Sequence, residues 1–581
     1  MTKEIQIPPK SRASHAYIGS QNIFSEFDSV VFTKLDMVFL HPPSFIDFWT
    51  RPWFAGPLAR TVSNLTPAFI MLPIGMVSAA DYLDRQGYKV RIVNLAEKTV
   101  VDRNFNLAEY LATLEAKVFG IGLHWCVHSR GAIDTARLCK MYHPASKVIL
   151  GGLTATRFDQ EIVSKYPWID AVVRGEAEES IAAYVQKLET TGGFSDVQNL
   201  TYREPDGKIR RNSLRKVPED LDELCFTRLD LVEPHQRLMN VTLPDRTLKV
   251  WNLPICRGCL FNCVTCGGSM YSYQTLHGRS RPAFTSPDKM VEEFQELDEQ
   301  KVNSIFLFQD MRMGGEKYWK TLLEHLHKER WSHLEHVTLE LFEKADESFL
   351  RTLQKFEPTE KVGLTISPES GSERVRLAHG RRYSNEELLK SIRSCLDAGF
   401  PISTYFMIGL GKETSMSIPD TWGVWQKILK MNRRDSQAVA TIDFGAMILL
   451  DPGSLAFDRP QATGYSLKCG TFQDYYDRLG LPSWKQWMSY ETDSLRAEDF
   501  VNVVLDSSTR FVDLFEVFEF VSHEQSEKLK QSILLDRLVL REIDGILRIK
   551  DEKEKNIRLN ELKEIVEDPL LSLSYLLTQN D

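Results

Sequence analysis

The chain has 581 residues, more than one ordinary core accommodates, so we expect two to four domains. Its composition, 43% hydrophobic and 26% charged, is typical of a globular protein, and its net charge of -9 argues against nucleic acid as the main partner, because phosphate binding needs a concentrated positive surface. The first residues lack the apolar core of a secretory signal. The apolar stretch 65–80 is broken by two prolines and is too short to span a bilayer, so we expect a buried helix there, in a cytoplasmic protein without a transmembrane segment.

After an amino-terminal arm (residues 1–35), residues 36–195 alternate buried-strand and helix patterns, and the first long helix pattern stops at Gly87. Strict alternation predicts a parallel sheet covered on both faces, an α/β doubly wound domain of the flavodoxin or Rossmann type. Ligands of such folds bind where the strands end. The strand-end segments of interest are His41–Ser44, His124–Gly131, Gly151–Thr156 and Arg174–Glu178.

The rest of the chain divides into three parts. Residues 196–246 contain a hairpin turning at Asp206-Gly207 and an acidic linker. Residues 247–450 resume the strand–helix alternation with roughly six units, which predicts a partial β/α (TIM-like) barrel whose chemistry lies at the carboxyl ends of its strands. Residues 451–581 are mostly helical in pattern and rich in charge, and we expect a helical C-terminal domain.

Four cysteines lie within eleven residues, in the stretch CRGCLFNCVTC that begins at Cys256. A zinc ribbon separates its two Cys-x-x-Cys pairs by roughly fifteen to twenty residues, whereas three residues separate them here. A bacterial ferredoxin run has gaps of two, two and three residues followed by proline, whereas these gaps are two, three and two, followed by Gly267. The third interpretation takes Cys259, Cys263 and Cys266 as a Cys-x3-Cys-x2-Cys loop holding three irons of a four-iron cluster and leaving one iron open. We favour it because the loop follows the first barrel strand.

This loop, with Arg257-Gly258 leading into it, resembles that of the radical S-adenosylmethionine (SAM) superfamily. Later segments resemble the cobalamin-dependent branch: SIFLFQD ending at Asp310, the Glu-Ser-Gly-Ser turn that begins at Glu369, and FMIGLGKET, which carries Glu413. The HPP loop, GGLTAT and VVRGEAEES resemble the cobalamin-binding domain of that branch. The resemblance covers residues 36–450, and the cysteine motif is its most specific part.

The resemblance implies a [4Fe-4S] cluster on the three cysteines, with SAM bound at the open iron. An electron from a flavodoxin- or ferredoxin-type donor would then cleave SAM to methionine and a 5′-deoxyadenosyl radical. Strand-end polar residues are expected to bind SAM, and the structural alternative for each is an ordinary turn. Glu413 has the further alternative of capping a helix that begins near Thr414. The predicted SAM-binding residues are Asp310, Glu369, Ser370 and Glu413.

The resemblance also implies cobalamin as a cofactor. The Asp-x-His-x-x-Gly motif of methionine-synthase-type domains is absent after the first strand, and its nearest match, which contains His128, has Cys126 where aspartate should orient the imidazole. His128 is therefore either a corrinoid ligand or a helix-start histidine. A flavodoxin-like domain that binds a nucleotide or nothing stays an alternative. Residues expected near the corrin ring are His124, Trp125 and His128, and those near the nucleotide tail are Gly151, Gly152 and Thr154.

The favoured function is a cobalamin-dependent C-methyltransferase that acts on an unactivated carbon of a small-molecule or lipid substrate. A radical SAM cyclase, ring-modifying or carbon–carbon-coupling enzyme of the same branch is the first alternative, and a non-catalytic iron–sulfur or corrinoid sensor is the second. The sequence departs from the family pattern at three positions. Thr265 stands where an aromatic residue is usual, Gly411 replaces a proline, and Cys256 has no role in the motif, so we expect it to be a buried thiol.

Overall fold

A computed structural model gives the fold and describes residues 34–57, 69–190, 193–214, 218–233, 240–242, 247–356 and 362–567. Most of the expected amino-terminal arm, the first four residues of the apolar stretch 65–80 and the end of the C-terminal region lie outside these ranges. Within the apolar stretch, the described part forms a helix from Gly75 onward. None of the described helices combines the length and apolar character that a membrane span requires.

The first sheet has eight strands in the order β7-β6-β5-β4-β3-β1-β2-β8. The six strands from β5 to β8 in this order are parallel, and the antiparallel hairpin β6–β7 extends the sheet at the β5 edge. Their bounds are β1 Leu35–His41, β2 Val90–Asn94, β3 Ala116–Gly122, β4 Lys147–Gly151, β5 Ala171–Val173, β6 Leu200–Arg203, β7 Ile209–Arg211 and β8 Val232–Glu233. The predicted hairpin therefore belongs to the N-terminal sheet, and a strand from the predicted linker closes its other edge.

Helices cover both faces of this sheet, as the strand–helix alternation predicts. The strand β1 is almost wholly buried, which explains its continuous apolar run. The helices of this region are Gly75–Asp84, Leu95–Val101, Leu107–Thr113, Ser129–Tyr142, Leu153–Arg157, Asp159–Lys165 and Glu178–Glu189.

The second sheet has seven strands in the order β17-β16-β15-β14-β13-β10-β9, all parallel except β9. Because β17 and β9 stand at opposite edges, the sheet is an open, partial β/α barrel, as predicted. Its strands, with the short ribbon β11–β12 beside them, are β9 Asn240–Thr242, β10 Thr247–Pro254, β11 Cys256–Arg257, β12 Ala283–Phe284, β13 Ser304–Phe308, β14 His336–Leu341, β15 Val362–Glu369, β16 Ile402–Ile408 and β17 Ala440–Ala446. The helices between them are Met270–Ser272, Pro287–Glu299, Glu316–Lys328, Glu347–Leu353, Glu373–Ala378, Asn385–Asp397 and Ile418–Leu429.

The C-terminal region is mostly helical, with one small ribbon of β18 (Tyr465–Leu467) and β19 (Tyr490–Thr492). Its helices are Leu455–Asp458, Pro460–Thr463, Phe472–Arg478, Trp484–Trp487, Ala497–Val517, His523–Ile546 and Glu552–Glu567. One apolar core runs continuously from the first sheet to the second, and another joins the opposite face of the first sheet to the start of the C-terminal region. The two sheets and the C-terminal region are therefore packed on one another around the cysteine loop.

Candidate functional site

The cysteine loop follows β10, the first parallel strand of the barrel, so it lies at the carboxyl edge where barrel sites are built. Backbone amides are directed at two of its sulfurs. The amide of Phe261 donates to Cys259 Sγ and that of Gly268 donates to Cys266 Sγ, each at 3.3 Å. Amide donors to sulfur are one way in which a protein tunes a bound iron–sulfur cluster.

The separation of the cysteine thiols bears on the interpretations left open by the sequence. Tetrahedral zinc with bonds of about 2.3 Å requires ligand sulfurs about 3.8 Å apart. Among the described residues, the three-ligand set whose atoms all lie within 4.8 Å of one another is Glu516, His523 and Glu527, far from this loop in the chain. The three cysteine sulfurs are therefore not all within 4.8 Å of one another, so this geometry gives no support to a single-zinc site and leaves the cluster interpretation in place. Cys256 is 1% exposed, and its thiol donates to the Gly258 carbonyl at 3.5 Å, as expected for a buried thiol.

Glu369, at the end of β15, is the predicted SAM-binding residue that the structure brings to the loop. Its backbone is left-handed, with φ of 68°, a strained conformation for a residue with a side chain. Its Oε1 accepts from Arg381 Nη2 at 3.2 Å, whereas its buried Oε2 has no hydrogen-bond partner. Burial raises the pKa of Cys263, and the same Arg381 acts in the opposite direction, so the guanidinium lies near both the carboxylate and the thiol. An unsatisfied buried carboxylate oxygen fits a ligand that donates a hydrogen bond.

Ser370 is placed differently from its neighbour. It is fully buried, and its Oγ accepts from the Ser372 amide at 3.2 Å and lies 3.4 Å from the Thr421 hydroxyl. Those contacts hold the turn after β15. Glu369 and Ser370, which are adjacent in the motif, therefore differ in their contacts: Glu369 has a free oxygen, whereas the Ser370 hydroxyl is engaged in the turn.

The carboxylate of Asp310 is fully engaged by its own turn and by the neighbouring loop after β14. Its carboxylate accepts from the amide and guanidinium of Arg312 and from the Phe342 amide, at 2.6 to 3.0 Å. The adjacent Gln309, which sequence reasoning missed, has a left-handed backbone with φ of 74° and accepts from the Cys256 amide at 3.0 Å. The backbone amide of Gln309 donates to the Glu340 carboxylate at 2.7 Å. The signal for it was the polar pair at the end of SIFLFQD.

Glu413 closes the loop after β16 and does not cap a helix near Thr414, because the next helix begins at Ile418. Its Oε2 accepts from the amides of Gly409 and Leu410, at 2.8 and 3.3 Å. The carboxyl is fully buried, and burial raises its pKa to about 7.

Asp451, just after the last barrel strand, is a site residue that the sequence analysis passed over. Its Oδ2 accepts at 3.0 Å from the amide of Gly267, which directly follows Cys266. A Cβ on Gly267 would lie 3.1 Å from the Asp451 side chain, a tight contact that glycine avoids. The Asp-Pro-Gly turn at 451–453 was the available signal.

Aromatic rings line the strand ends of the first sheet. The rings of His124 and Trp125 lie 4.6 Å apart, Trp125 and Phe69 4.5 Å, and His41 and His128 4.8 Å. His41 and His128 are fully buried, and burial lowers the pKa of both His41 and His124 to about 4. The imidazoles of His41 and His124 are therefore neutral at physiological pH.

Two of the three predicted nucleotide-tail residues, Gly152 and Thr154, support this ring cluster. Gly152 has φ of 111°, and a Cβ there would lie 2.7 Å from the His124 Cα, so the neighbouring loop itself requires glycine. Thr154 donates its hydroxyl to the His124 carbonyl at 3.0 Å. A Cβ on Gly151 would make only an ordinary contact, 3.7 Å from the Val173 carbonyl.

The segment after the cysteines connects the two sheets. A Cβ on Gly268 would lie 3.7 Å from Cys266 Sγ, and nine residues later His277 packs against Gly175, in the loop after β5. His277 is 4% exposed, and its Nε2 has no hydrogen-bond partner. The five residues from Tyr273 to His277 form a π-turn, a feature often found at functional sites. The strand-end edges of the two sheets therefore face one shared region.

Comparison with known proteins identifies two domains. A family model for the radical SAM superfamily matches residues 253–421, and one for the B12 binding domain matches residues 60–185. The chain therefore carries a radical SAM domain and a B12-binding domain. A radical SAM domain implies a [4Fe-4S] cluster and SAM, and a B12-binding domain implies cobalamin.

Two curated relatives are similar over part of the chain. Anaerobic magnesium-protoporphyrin IX monomethyl ester cyclase of Rubrivivax gelatinosus is 22% identical over 383 residues, which are 63% of this chain and 62% of the cyclase. An uncharacterized methyltransferase, PH0819 of Pyrococcus horikoshii, is 27% identical over 215 residues, 36% of this chain and 43% of that protein. The chain thus matches about three fifths or less of the length of these relatives.

Solved structures share the fold. The radical SAM methyltransferase TsrM from Kitasatospora setae, with tryptophan substrate and a SAM analogue bound, aligns with a TM-score of 0.56 and 13% identity over 82% of this chain and 89% of its own. The cobalamin-dependent radical SAM enzyme OxsB aligns with a TM-score of 0.57 and 13% identity over 91% of this chain and 75% of its own. This is a likeness of architecture.

The residues present fit the implied groups. The three cysteine thiols, two of which accept hydrogen bonds from backbone amides, fit a cluster. The Glu369 oxygen without a partner fits a hydrogen-bond donor on SAM. At the strand ends of the first sheet, His41 Nδ1 and His277 Nε2 are buried without partners. Buried polar atoms need partners, and the peripheral amide groups of a corrinoid provide them.

Proposed function

We propose that this protein is a cobalamin-dependent radical SAM methyltransferase that methylates an unactivated carbon. The observation that carries the proposal is the shared region between the sheets: Cys266 and His277 stand at the two ends of one short segment, against the cluster loop and against the B12-binding domain. A radical centre and a methyl donor held on these edges would face the same substrate. When bound, the cluster supplies the electron that cleaves SAM, and cobalamin supplies the methyl group.

The chain's own residues have separable tasks in this proposal. Cys259, Cys263 and Cys266 hold the cluster, and Asp451 holds the last turn of their loop. Glu369, kept in place by Arg381, orients SAM through its free oxygen. Fixed orientation of the reacting groups is what a protein contributes to cofactor chemistry of this kind.

The rings at the strand ends of the first sheet form the second half of the site. His124, Trp125 and His128 are proposed to contact the corrinoid, with His124 positioned by Gly152 and Thr154. Because burial keeps the His124 imidazole neutral, its ring offers one donor and one acceptor without adding a charge. Ser370, Asp310 and Glu413 are assigned to holding the barrel loops, since each accepts hydrogen bonds from backbone amides there; Glu413 does so through Oε2, whereas its Oε1 has no partner.

The electron donor and compartment belong to the proposal as well. All nine cysteines are free thiols, which suits a reducing compartment such as the cytoplasm. We therefore propose a flavodoxin- or ferredoxin-type donor there and a small molecule as substrate.

The test uses protein reconstituted anaerobically with iron, sulfide and cobalamin, given SAM with a deuterated methyl group, a reductant and fractions of small molecules from cell extract. Methylation predicts 5′-deoxyadenosine together with a product carrying the deuterated methyl group. Formation of 5′-deoxyadenosine with product that never carries the label would contradict methylation. A Cys263→Ala variant, which lacks one cluster ligand, should give neither compound.

Cyclisation is the second candidate, because the match to the Rubrivivax cyclase extends over 383 residues, more than either domain alone. It uses the same two cofactor sites without transferring a methyl group. In the same assay, a product of altered hydrogen count without label would favour it. Protein that forms no 5′-deoxyadenosine under any reductant would instead indicate the sensor alternative.

A further inference from the structure

Four charged side chains form a network where the two sheets meet. Glu176, in the loop after β5, uses both carboxylate oxygens: Oε2 accepts from Arg257 Nη1 at 3.1 Å, and Oε1 accepts from Arg279 Nη2 at 2.8 Å and from Arg279 Nε at 3.0 Å. Glu178 accepts from the other terminal nitrogen of Arg257 and from the Ser78 hydroxyl at 2.6 Å. The four charged side chains are only 3–14% exposed.

The two arginines bracket the cysteine loop. Arg257 lies two residues before Cys259, and Arg279 follows the π-turn that begins at Tyr273. In the ribbon β11–β12, Arg257 pairs with Ala283, so the chain segments before and after the loop are joined at its base. One carboxylate of the B12-binding domain therefore holds both ends of the segment that carries the cluster ligands.

Such a network contributes more to geometry than to stability. Burying an ion pair costs desolvation that roughly cancels its attraction, so buried pairs often add little to the free energy of unfolding. Arginine forks, however, bind carboxylates in fixed directions. Arg279 also donates to the Pro218 carbonyl at 2.9 Å, and the Arg257 guanidinium lies 5.5 Å from the centre of the Phe226 ring, so neither side chain is free to turn.

We propose that Glu176 is a positioning residue that fixes the cluster loop relative to the corrinoid-binding edge of the first sheet. It touches neither proposed cofactor and acts through Arg257 and Arg279. The inference rests on the function proposed above, because it requires that both cofactors are held by this chain.

The chain offers a matched control for Glu176. Asp81, in the helix Gly75–Asp84, is also a buried carboxylate that bridges two arginines, accepting from Arg85 Nε at 2.8 Å and from Arg228 Nη1 at 3.0 Å. Neither of those arginines flanks the cysteine loop. Asp81→Asn therefore removes a comparable charge from the same domain without touching the bracket.

The experiment measures the geometry between the cofactors directly. Full-length protein is reconstituted with iron, sulfide and hydroxocobalamin and partly reduced, so that the reduced cluster and cob(II)alamin are both paramagnetic. Electron paramagnetic resonance then reports their spin–spin interaction. We expect one defined interaction in the native protein and in Asp81→Asn, and loss of that resolved interaction in Glu176→Gln with iron and cobalt contents retained.

Arg279→Lys keeps the charge but gives up the two-nitrogen contact, so it should broaden the interaction, and it remains informative if Glu176→Gln fails to fold. A native interaction in Glu176→Gln or in Arg279→Lys would overturn the inference, as would equal loss in Asp81→Asn. Native protein that retains its cluster but binds no cob(II)alamin would overturn the proposed function itself, an outcome distinct from either.

Discussion

Asp451 and Gly267 are joined by a hydrogen bond of 3.0 Å that ties the end of the last barrel strand to the end of the cysteine loop. Because a hydrogen bond of this kind contributes about 1 kcal/mol, we expect Asp451→Ala to release iron several-fold faster than the native protein under a chelator. Asp474→Asn, which removes a helix-capping carboxylate elsewhere in the C-terminal region, is the control. Equal iron release from Asp451→Ala and native protein would show that this bond does not hold the loop.

Glu369 and Ser370 are adjacent in the motif but differ in what their oxygens contact. Glu369→Gln should weaken SAM binding about tenfold, equivalent to about 1.4 kcal/mol, because a charged acceptor is lost. Ser370→Ala should leave SAM affinity near the native value, since its hydroxyl serves the turn. Titration of SAM into the reconstituted protein measures both, and Glu373→Gln, an exposed carboxylate in the following helix, is the control. The reverse ranking of the two variants would contradict the assignment.

Gly131 lies where the helix Ser129–Tyr142 meets the loop after β1. A Cβ there would lie 1.8 Å from the Pro43 carbonyl, whereas a Cβ on Gly75, at the start of another helix, meets no atom within 4 Å. Gly131→Ala must therefore displace the loop beside His41 and should lower the melting temperature and cobalamin retention, with a cost of about 2 kcal/mol or more. Gly75→Ala should keep both at the native level. If Gly131→Ala retained cobalamin as well as the native protein does, the packing of this helix against the loop would not support the corrinoid site.

Periodicity alone was enough to predict the parallel strands of both sheets and the open barrel, because their buried runs are continuous and their helices regular. The attachment of the hairpin β6–β7 to the first sheet was not predictable, since edge pairing depends on which strand is left unpaired. Likewise Val232–Glu233 is too short to show a strand pattern.

The candidate site was only half visible in the sequence. The cysteines and Glu369 lie in local motifs. Asp310 also matches a motif, yet its carboxylate is engaged by Arg312 and by the Phe342 amide. The sequence analysis singled out the segment Arg174–Glu178 but not the role of Glu176, and it passed over Asp451, because the partners of these two residues are 81 and 184 residues away. Contacts of that range exist only after the sheets have packed.

Glu413 gives the protein a predictable pH dependence. Burial raises the pKa of its carboxyl from 4.5 to about 7, while the Gly409 and Leu410 amides act in the opposite direction. Between these values the folded state binds more protons than the unfolded chain, so this group lowers the free energy of unfolding as the pH rises, in total by on the order of 3 kcal/mol. Glu413→Gln removes that dependence, so the variant should gain stability relative to the native protein between about pH 5 and pH 8.

Thermal unfolding of the cofactor-free native and variant chains at both pH values measures this difference. Glu386→Gln, an exposed carboxylate change, is the control. A difference in melting temperature between Glu413→Gln and native protein that stays constant from about pH 5 to pH 8 would contradict a raised pKa at this position.

The central claim is that Cys259, Cys263 and Cys266 hold a four-iron cluster whose fourth iron is open to SAM. Mössbauer spectra of anaerobically reconstituted, iron-57-labelled protein, recorded with and without SAM, test this claim most directly. Cys256→Ala is the control, because that thiol is buried and hydrogen-bonded to the Gly258 carbonyl. We predict that SAM changes the spectrum of one iron site in four, in the native protein and in Cys256→Ala alike. A cluster whose irons remain equivalent when SAM is added, or one that is lost with Cys256, would contradict the account.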